Sequence, residues 1–298
     1  MYRSPISTSA RRGLAAALAA CSLLTAFTLA TPASADTASA TAAGSKVVCT
    51  SKKPGLAAAL SHDVAGALDS RQGTSSLALY DRSTRTTCEF KAGTHFDSAS
   101  VVKVSVLGAL LQQAEEAHRK LTPREVELTT AMITRSDNAS TSALWRQIGA
   151  AGFQEFLTRA GMLHTVPGAG ASWGLTRTTA GDQLRLMQLL TTTENAVLTP
   201  ASRAYALDLM HRVAPDQRWG VPAGSPATAR VQVKNGWLPR AIDGWRVHSV
   251  GSFTGNGHDY GLVVLSSGNH TMDYGIDTIE GAARVIHSDL TAAATAGH

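Results

Sequence analysis

Residues 98–120, SASVVKVSVLGALLQQAEEAHRK, restrict the fold of this chain more than any other segment. From Val101 to Leu111 the apolar side chains surround the axis of a helix instead of forming one stripe along it. A helix that is apolar on every side has to be enclosed by other elements, so the pattern predicts a buried central helix. With 298 residues, the chain is long enough for one large core or for two halves packed around a cleft.

Periodic patterns on both sides of this helix predict a mixed fold. Before it, we predict a helix from about Pro54 to Leu68 and two paired strands, 75–82 and 86–91. After it, we predict helices at 123–134, 139–149, 152–160, 178–191 and 199–213, a Gly-rich loop at 161–177, strands at 228–236, 245–254 and 258–266, and a last helix at 272–292. Strands from both ends of the chain can join in one sheet. The predicted fold is therefore α/β of the α+β type, an antiparallel five-stranded sheet flanked by helices, with an inserted helical subdomain.

The first 35 residues have the three-part layout of a secretory signal peptide, namely Arg3, Arg11 and Arg12, an apolar run at about 13–30, and Ala33-Ser34-Ala35. A transmembrane anchor and a lipoprotein box ending at Cys21 are the alternatives. We predict a secreted protein with a signal peptide at 1–35, a flexible leader at 36–46 and one domain at 47–298. Its sheet half comprises 47–92 and 225–298, and its helical half comprises 93–224.

Charge and cysteine content restrict the possible partners. Removing the predicted signal takes away three arginines and no acid, so 24 basic residues face 22 acidic ones and the net charge falls from +5 to +2. No basic cluster interleaved with aromatics remains, which argues against nucleic acid. Cys49 and Cys88 are left, and an even number of cysteines in an exported chain predicts a disulfide. No spacing predicts zinc, and nothing in the sequence implies a cofactor.

Ser100 and Lys103 are the first candidate catalytic pair. They lie three residues apart, on one face of the central helix, and a lysine buried there has a lowered pKa and can accept a proton from the serine. The serine also lies near the positive end of the helix dipole. The alternative is an ordinary surface helix with a lysine that reaches solvent.

Two further motifs carry polar groups that suit the same chemistry. In Ser136-Asp137-Asn138, the serine can relay a proton and Asn138 can hold a substrate carbonyl or amide, although these residue types also suit a helix N-cap. In Lys234-Asn235-Gly236, the lysine can bind a carboxylate and the glycine allows close approach of substrate. The N–H of Trp237 can pair with that of Ser100 as an oxyanion hole. The alternative for the third motif is a strand end with a solvated lysine.

The order of the three motifs resembles the class A β-lactamase and penicillin-binding protein superfamily, and more narrowly the β-lactamase-related serine hydrolases of actinobacteria, with their QRWGVPAG and VKNGWLP stretches. The resemblance covers most of the chain, from the helix near Pro54 to the C-terminal helix. It implies a β-lactamase/transpeptidase-like fold and acylation of Ser100. It also implies Lys103 as general base, Ser136 as proton shuttle and Asn138 as substrate contact, with Lys234 and Asn235 binding a carboxylate.

Three features depart from that family. Asn235 stands where the family has a hydroxyl residue, and the gap from Ser100 to Ser136 is short. Residues 156–181, which correspond to the loop that carries a water-activating glutamate, contain neither Asp nor Glu. His164 is a possible substitute base in this loop. Without a base, we expect the acyl-enzyme to persist.

These observations predict a secreted serine hydrolase that forms an acyl-enzyme with a lactam, amide or ester and turns β-lactams over inefficiently. One alternative is a D-alanyl-D-alanine carboxypeptidase, and another is a non-catalytic protein that binds β-lactams or cell-wall peptides. The predicted partner is a small molecule or a cell-wall peptide, and the predicted oligomeric state is a monomer without a membrane span after signal cleavage.

Overall fold

A computed structural model describes residues 34–193 and 196–295 and places their strands and helices as follows. The strands are β1 (Asp36–Ala42), β2 (Ser45–Ser51), β3 (Thr74–Asp81), β4 (Thr86–Phe90), β5 (Phe96–Asp97), β6 (Arg177–Thr178), β7 (Arg230–Arg240), β8 (Gly244–Gly255) and β9 (His258–Asn269). The helices are α1 (Leu56–Asp69), α2 (Val102–Glu116), α3 (Pro123–Thr134), α4 (Asn138–Arg159), α5 (Ala180–Thr191), α6 (Pro200–His211) and α7 (Met272–Thr295).

One antiparallel sheet joins strands from the two ends of the chain in the order β1-β2-β4-β3-β9-β8-β7. Its central strand β3 is buried along nearly its whole length, because helices cover both faces of the sheet. Helices α1 and α7 pack together, and α5 packs against β3 and β9. The segment between β4 and β7 supplies α2 to α6, so the α+β prediction with an inserted helical part is confirmed.

The sheet has seven strands, and the prediction of five was wrong because the N-terminal arm contributes two more. Residues 36–46 are largely a strand where we predicted a flexible leader, since β1 pairs with β2 from Asp36 opposite Ser51 to Ala42 opposite Ser45. Ala43 (φ 43°) and Gly44 (φ 71°) join the two strands, and positive φ at both residues is the backbone of a tight hairpin turn. The small polar composition hides the alternation of Thr and Ser with Ala in DTASATA that suits a strand.

The predicted disulfide is confirmed. Cys49 of β2 lies directly opposite Cys88 of β4, and both residues are buried. The bond closes a separation of 39 residues and fastens the N-terminal hairpin to the rest of the sheet. The predicted signal peptide lies outside the described residues, except for its last two. Within the described ranges, no helix is both long and apolar enough to cross a bilayer.

Helix α2 is enclosed, as its apolar pattern predicts. Residues 102–112 are all buried, and they include Lys103, Ser105 and Gln112. Gly108 allows α4 to approach, because a Cβ on Gly108 would lie 2.3 Å from the Phe156 ring. Helix α4 covers both helices predicted at 139–149 and 152–160, which meet at a kink at Gly149 (φ 73°). The packing of α4 on α2 brings the start of α4 to Lys103.

Candidate active site

Ser100 lies in a 3-10 turn, Ala99–Val101, immediately before α2. Ala99 has φ 46°, a conformation that is uncommon for a residue with a side chain and that recurs at functional sites. The Ser98 N–H donates to the Thr176 carbonyl (2.8 Å), so the loop before β6 holds this turn in place. The Ser100 side chain borders a cavity and, among the described residues, meets no hydrogen-bond partner. Its hydroxyl is therefore available to an incoming carbonyl.

Lys103 is completely buried one turn further along the same helix. Its Nζ donates to the Ser136 carbonyl (2.6 Å), the Ser136 Oγ (3.0 Å) and the Asn138 Oδ1 (2.8 Å). Burial lowers the pKa of Lys103 to about 7, and the nearby charge of Asp137 opposes that change. No carboxylate of the described residues forms an ion pair with this amine. At neutral pH a substantial fraction of Lys103 is therefore an uncharged base.

The Ser136-Asp137-Asn138 motif both caps a helix and contacts Lys103, which are the two roles that its sequence suggests. The Asp137 side chain accepts a hydrogen bond from the Ser140 N–H (2.6 Å) and caps α4. Hydrogen bonding from the side chain of Ser140, and then from its N–H, holds the pKa of Asp137 below its usual value. The cap fixes the two flanking residues against Lys103, with Ser136 at φ 57°. Asn138 uses its oxygen on Lys103, and its exposed side chain borders the Ser100 cavity.

Strand β7 forms the opposite wall of the site. Lys234 is fully buried, and its Nζ donates to the Asn235 carbonyl (3.0 Å). Burial and then the charge of Lys103 lower its pKa well below the usual value. Gly236 touches the nucleophile turn, because a Cβ there would lie 2.8 Å from the Ser100 nitrogen. This close approach brings the backbone of Trp237 beside that of Ser100.

Asn235 differs from the residue that the resemblance implies. Its Nδ2 donates to the carbonyls of Gln217 (3.0 Å) and Trp219 (2.8 Å), both in the segment that precedes β7. Its Oδ1 is buried and has no hydrogen-bond partner. Both amide hydrogens are therefore already used, and the side chain has no donor left for a substrate carboxylate.

Trp173 is the site residue that the sequence did not reveal. Its ring lies over Lys103, with Nζ 4.9 Å from the ring centroid, and its Nε1 donates to the Ser142 Oγ (3.1 Å). The loop that carries it is tied down by the Trp145 indole, which donates to the Gly170 carbonyl (2.8 Å). An indole thus covers one side of Lys103. The only sequence signal was a tryptophan within a Gly-rich loop.

His164 lies away from this arrangement. Its side chain borders a different cavity, beside Thr179 and Asp182, which does not include Ser100. The buried Asp182, the first acid after the loop, accepts from the His164 N–H (2.9 Å) and the Thr165 hydroxyl (2.7 Å). Asp182 therefore fixes the loop at residues 164 and 165. Among the described residues, His164 makes no contact with Ser100.

The Ser100 cavity has a volume of about 340 Å³ and a wall of mixed polar and apolar surface. It is lined by Ala99, Ser100, Asn138, Ala171, Ser172, Trp173, Gly174, Leu175, Trp237 and Leu238. Within the described ranges, no group of three or more His, Cys, Asp or Glu side chains is arranged to hold a metal ion. The cavity can therefore receive a ligand with both polar and apolar parts whose carbonyl meets the Ser100 hydroxyl.

The sequence is similar to known proteins along most of its length. The profile of the beta-lactamase enzyme family matches residues 59–126 and 124–290. A protein described as "Putative lipoprotein LppW", from Mycobacterium tuberculosis and Mycobacterium bovis, is 26% identical over 184 residues. That match covers 60% of this chain and 58% of LppW.

Solved structures share the fold at low sequence identity. PBP-A has a TM-score of 0.69 and 20% identity, and the match covers 78% of this chain and 96% of PBP-A. A representative class A beta-lactamase from Bacteroides cellulosilyticus has a TM-score of 0.68 and 16% identity, with coverage of 79% and 98%. An ancestral class A beta-lactamase has a TM-score of 0.65 and 20% identity, with coverage of 77% and 99%. The fold and the profile match over most of the sequence lead to one assignment: the chain belongs to the beta-lactamase enzyme family.

Proposed function

We propose that this protein is an exported serine hydrolase that forms an acyl-enzyme on Ser100 with a lactam, amide or ester carbonyl. The observation that carries the proposal is the state of Lys103, a buried amine with a pKa of about 7, one helical turn from an accessible serine hydroxyl. A lysine kept partly neutral in this way suits a general base. The hydrogen bonds from Lys103 to Ser136 and Asn138 fit the roles of shuttle and substrate contact.

In the proposed acylation, the Ser100 Oγ attacks the carbonyl carbon while its proton passes to the neutral Lys103 Nζ. The carbonyl oxygen becomes negative and is stabilised by the N–H groups of Ser100 and Trp237. The bond between the carbonyl carbon and the leaving nitrogen or oxygen then breaks. The leaving group takes a proton through the Ser136 hydroxyl, which Lys103 replenishes. One ester bond forms and one acyl bond breaks.

Slow release of the acyl group is the second part of the proposal. Hydrolysis needs a group that activates water, and residues 156–181 contain no carboxylate. Trp173 covers Lys103 from the loop side, which disfavours water next to the amine. We therefore expect β-lactams to acylate and retain the enzyme. The physiological reaction would be carboxypeptidase, esterase or acyl-transfer chemistry.

A D-alanyl-D-alanine carboxypeptidase is the second candidate, and the charge of the site favours it. Lys103 and Lys234 are buried together, and no described carboxylate pairs with either of them. A substrate carboxylate would favour the charged form of Lys234, whose pKa burial lowers, and the C-terminus of a peptide supplies one. Since Asn235 has no donor left, Lys234 would recognise this carboxylate with less help than the family motif provides.

Export is proposed from the signal-like residues 1–35, and the resemblance to a lipoprotein supports Cys21 as an alternative end of the signal. A mass measurement of the protein from its native host separates the two routes. Cleavage after Ala35 gives an unmodified chain that begins at Asp36, whereas processing at Cys21 gives a chain with an attached lipid.

The experiment for the main proposal follows the intact mass of the purified protein after mixing with penicillin, with Ser100→Ala as control. We expect a lasting adduct that the control lacks. Fast return to free enzyme with hydrolysed drug would contradict slow deacylation. A ligand that stays bound without a covalent bond, in both proteins, would favour the non-catalytic binding protein. No adduct with penicillin, esters or peptides would contradict the proposed nucleophile.

A further inference from the structure

Next to the Ser100 cavity lies a second cavity, of about 240 Å³, with an unusual concentration of positive charge. We call it the arginine cavity; its wall includes Arg177, Arg240, Arg246, Asp97 and Ser267. The three arginines come from three segments, namely the loop end at β6, strand β7 and strand β8. None of the three motifs of the sequence includes them.

The charges of this cavity are unbalanced. Arg240 and Arg246 share one carboxylate, that of Asp97, and each Nε lies 3.8 Å from the same Asp97 oxygen. Arg246 also contacts Asp243 (3.2 Å), which is largely exposed. Arg177 has no ion-pair partner among the described residues. Arg246 is largely engaged, since its Nη1 also donates to the carbonyls of Asp243 (3.2 Å) and Gly244 (3.3 Å). Among the described residues, Arg177 and Arg240 donate no side-chain hydrogen bond, so their N–H groups are free to bind an anion.

The arginine cavity and the Ser100 cavity are lined by different residues, but the same two chain segments, strand β7 and residues 175–177, run from one to the other. Leu238 lines the Ser100 cavity, and its cross-strand neighbour is Arg246. Arg240 lies two residues beyond Leu238, on the same face of β7. Leu175 lines the Ser100 cavity in the same way, two residues before Arg177. At about 3.3 Å per residue, the backbone of Arg240 lies roughly 10 Å along β7 from that of Trp237, whose N–H is the proposed oxyanion donor.

The direction of β7 decides which part of a substrate reaches the arginines. Lys234 precedes the oxyanion N–H of Trp237 along the strand, and Arg240 follows it. In the proposed function, the leaving group with its carboxylate extends towards Lys234. The acyl part must then extend the other way, past Leu238 and towards Arg240.

We propose that the arginine cavity binds a carboxylate carried by the acyl part of the substrate, separated from the acyl carbon by an extended chain of at most about 10 Å. This inference rests on the proposed acylation of Ser100. The guanidinium group suits it, since its planar set of donors matches a carboxylate in two parallel hydrogen bonds. The natural acyl donor is therefore an anionic carboxylic acid derivative, and a neutral acyl group is a poorer one.

The test uses p-nitrophenyl monoesters of glutaric, adipic, pimelic and suberic acid, each paired with the same compound whose free carboxylate is methylated. The measurement is the burst rate of p-nitrophenolate release, which reports acylation. We expect the charged ester to react faster than its neutral partner, with the ratio largest at one chain length. In Arg177→Gln/Arg240→Gln that ratio should fall by about tenfold, while the neutral esters keep their rates.

The matched control is Arg124→Gln/Arg284→Gln, which removes the same charge at exposed positions on α3 and α7 and should keep the native ratio. Acylation by all esters without any preference for the charged ones would overturn the inference and leave the proposed function standing. An equal fall in both double variants would overturn it too, since net charge would then be the cause. If neither these esters nor penicillin nor a peptide acylates Ser100, the proposed function fails. Anion binding can then be tested by melting temperature. The arginine cavity binds a carboxylate if millimolar pimelate raises the melting temperature of the native protein but not that of Arg177→Gln/Arg240→Gln, and equal shifts would overturn the inference.

Discussion

Lys103 is the residue whose protonation should set the working pH of the site. Its neutral form is the proposed base, and its pKa of about 7 results from burial. We expect the rate of acylation by a fluorescent penicillin to rise with pH and to reach half of its plateau near pH 7. Stopped-flow measurement of that rate at a series of pH values gives the profile directly.

Lys103→Arg is the variant that checks this assignment, because a guanidinium stays charged across the whole range. We expect acylation to slow by roughly 10²–10⁴-fold and to lose its dependence on pH near 7. A native profile without a step between about pH 6 and pH 8 would show that another group is the base.

Trp173 is the residue that we expect to prolong the life of the acyl-enzyme. Its ring lies 4.9 Å from the Lys103 Nζ, so a carboxylate placed at this position would be close enough to activate water beside the amine. We expect Trp173→Glu to shorten the life of the penicillin adduct by about tenfold or more, measured by intact mass over time. Trp173→Gln removes the same ring without adding a base, and equal release rates in the two variants would rule out the carboxylate as the cause.

Some parts of the site could be predicted residue by residue, and others could not. Ser100 and Lys103 could be proposed because burying a lysine is costly, so a lysine inside an apolar helix indicates a function. Ser136 could be proposed from the order of the three motifs. Asn235 could not be assigned from its motif, since the carbonyls that take its amide belong to residues 217 and 219, which only the folded chain brings near. Trp173 reaches Lys103 through a loop whose path has no periodic signal.

At the level of elements, we expect the contact of β7 with the turn before α2 to control the proposed oxyanion site. A Cβ on Gly236 would meet backbone atoms of Ser100 (2.8 Å) and Val101 (2.9 Å), which cannot rotate away. We therefore expect Gly236→Ala to displace β7 from the nucleophile turn and to slow acylation by roughly 10²-fold. The circular dichroism spectrum should stay unchanged, because β7 keeps its pairing with β8.

Gly66→Ala is the matched control for this change, since a Cβ at Gly66 meets nothing within 4 Å in the middle of α1. It should raise the free energy of unfolding by about 0.5–1 kcal/mol and leave acylation unaltered. A Gly236→Ala protein that acylates at the native rate would contradict the proposed oxyanion geometry.

The elements with strong periodicity could be predicted, and those without it could not. Helix α3 begins and ends where the sequence predicts, because Thr122 and Glu125 form a capping box at its start. Strand β1 was missed because threonine, serine and alanine also compose flexible segments, and only its pairing with β2 distinguishes them. A strand that forms only because a neighbouring strand pairs with it is hard to predict from its own residues.

Across the whole molecule, two buried histidines should make stability depend on pH. Burial lowers the pKa values of His248 and His287 to about 4, from 6.5 for a free side chain. Between pH 4 and pH 6.5 the unfolded chain therefore binds more protons than the folded one. The contribution of these histidines to the free energy of unfolding is fully present above pH 6.5 and is lost as pH falls towards 4. Each histidine should contribute roughly 3 kcal/mol to this loss.

Urea unfolding of His248→Gln and His287→Gln at several pH values measures these contributions, and each variant should show a shallower decline. His62→Gln, at an exposed position, should leave the slope unchanged. Asp289 acts in the opposite direction, because burial raises its pKa to about 6. The differences between variants therefore identify the histidines, and equal slopes in all proteins would contradict their role.

The disulfide and the candidate active site lie towards opposite edges of the sheet. Loss of the disulfide should therefore lower the stability of the protein without changing acylation. The Cys49–Cys88 bond joins β2 to β4, whereas β7 forms the other edge beside Ser100. For a separation of 39 residues, we expect Cys49→Ser/Cys88→Ser to lower the free energy of unfolding by about 2–4 kcal/mol. Acylation at a temperature where the variant stays folded should be native, and a loss of acylation there would contradict this separation.

The order of strands also fixes when the candidate active site can first be assembled. Central strand β3 pairs with β4, its neighbour in sequence, and with β9, where Leu77 lies opposite Val264. The nucleophile turn likewise meets Gly236, so both the sheet and the proposed oxyanion site wait for residues that are synthesised long after Ser100. A growing chain that contains Ser100 and Lys103 but not yet β7 to β9 should therefore be chemically silent. The proposed reactivity would arrive only when these strands join the sheet.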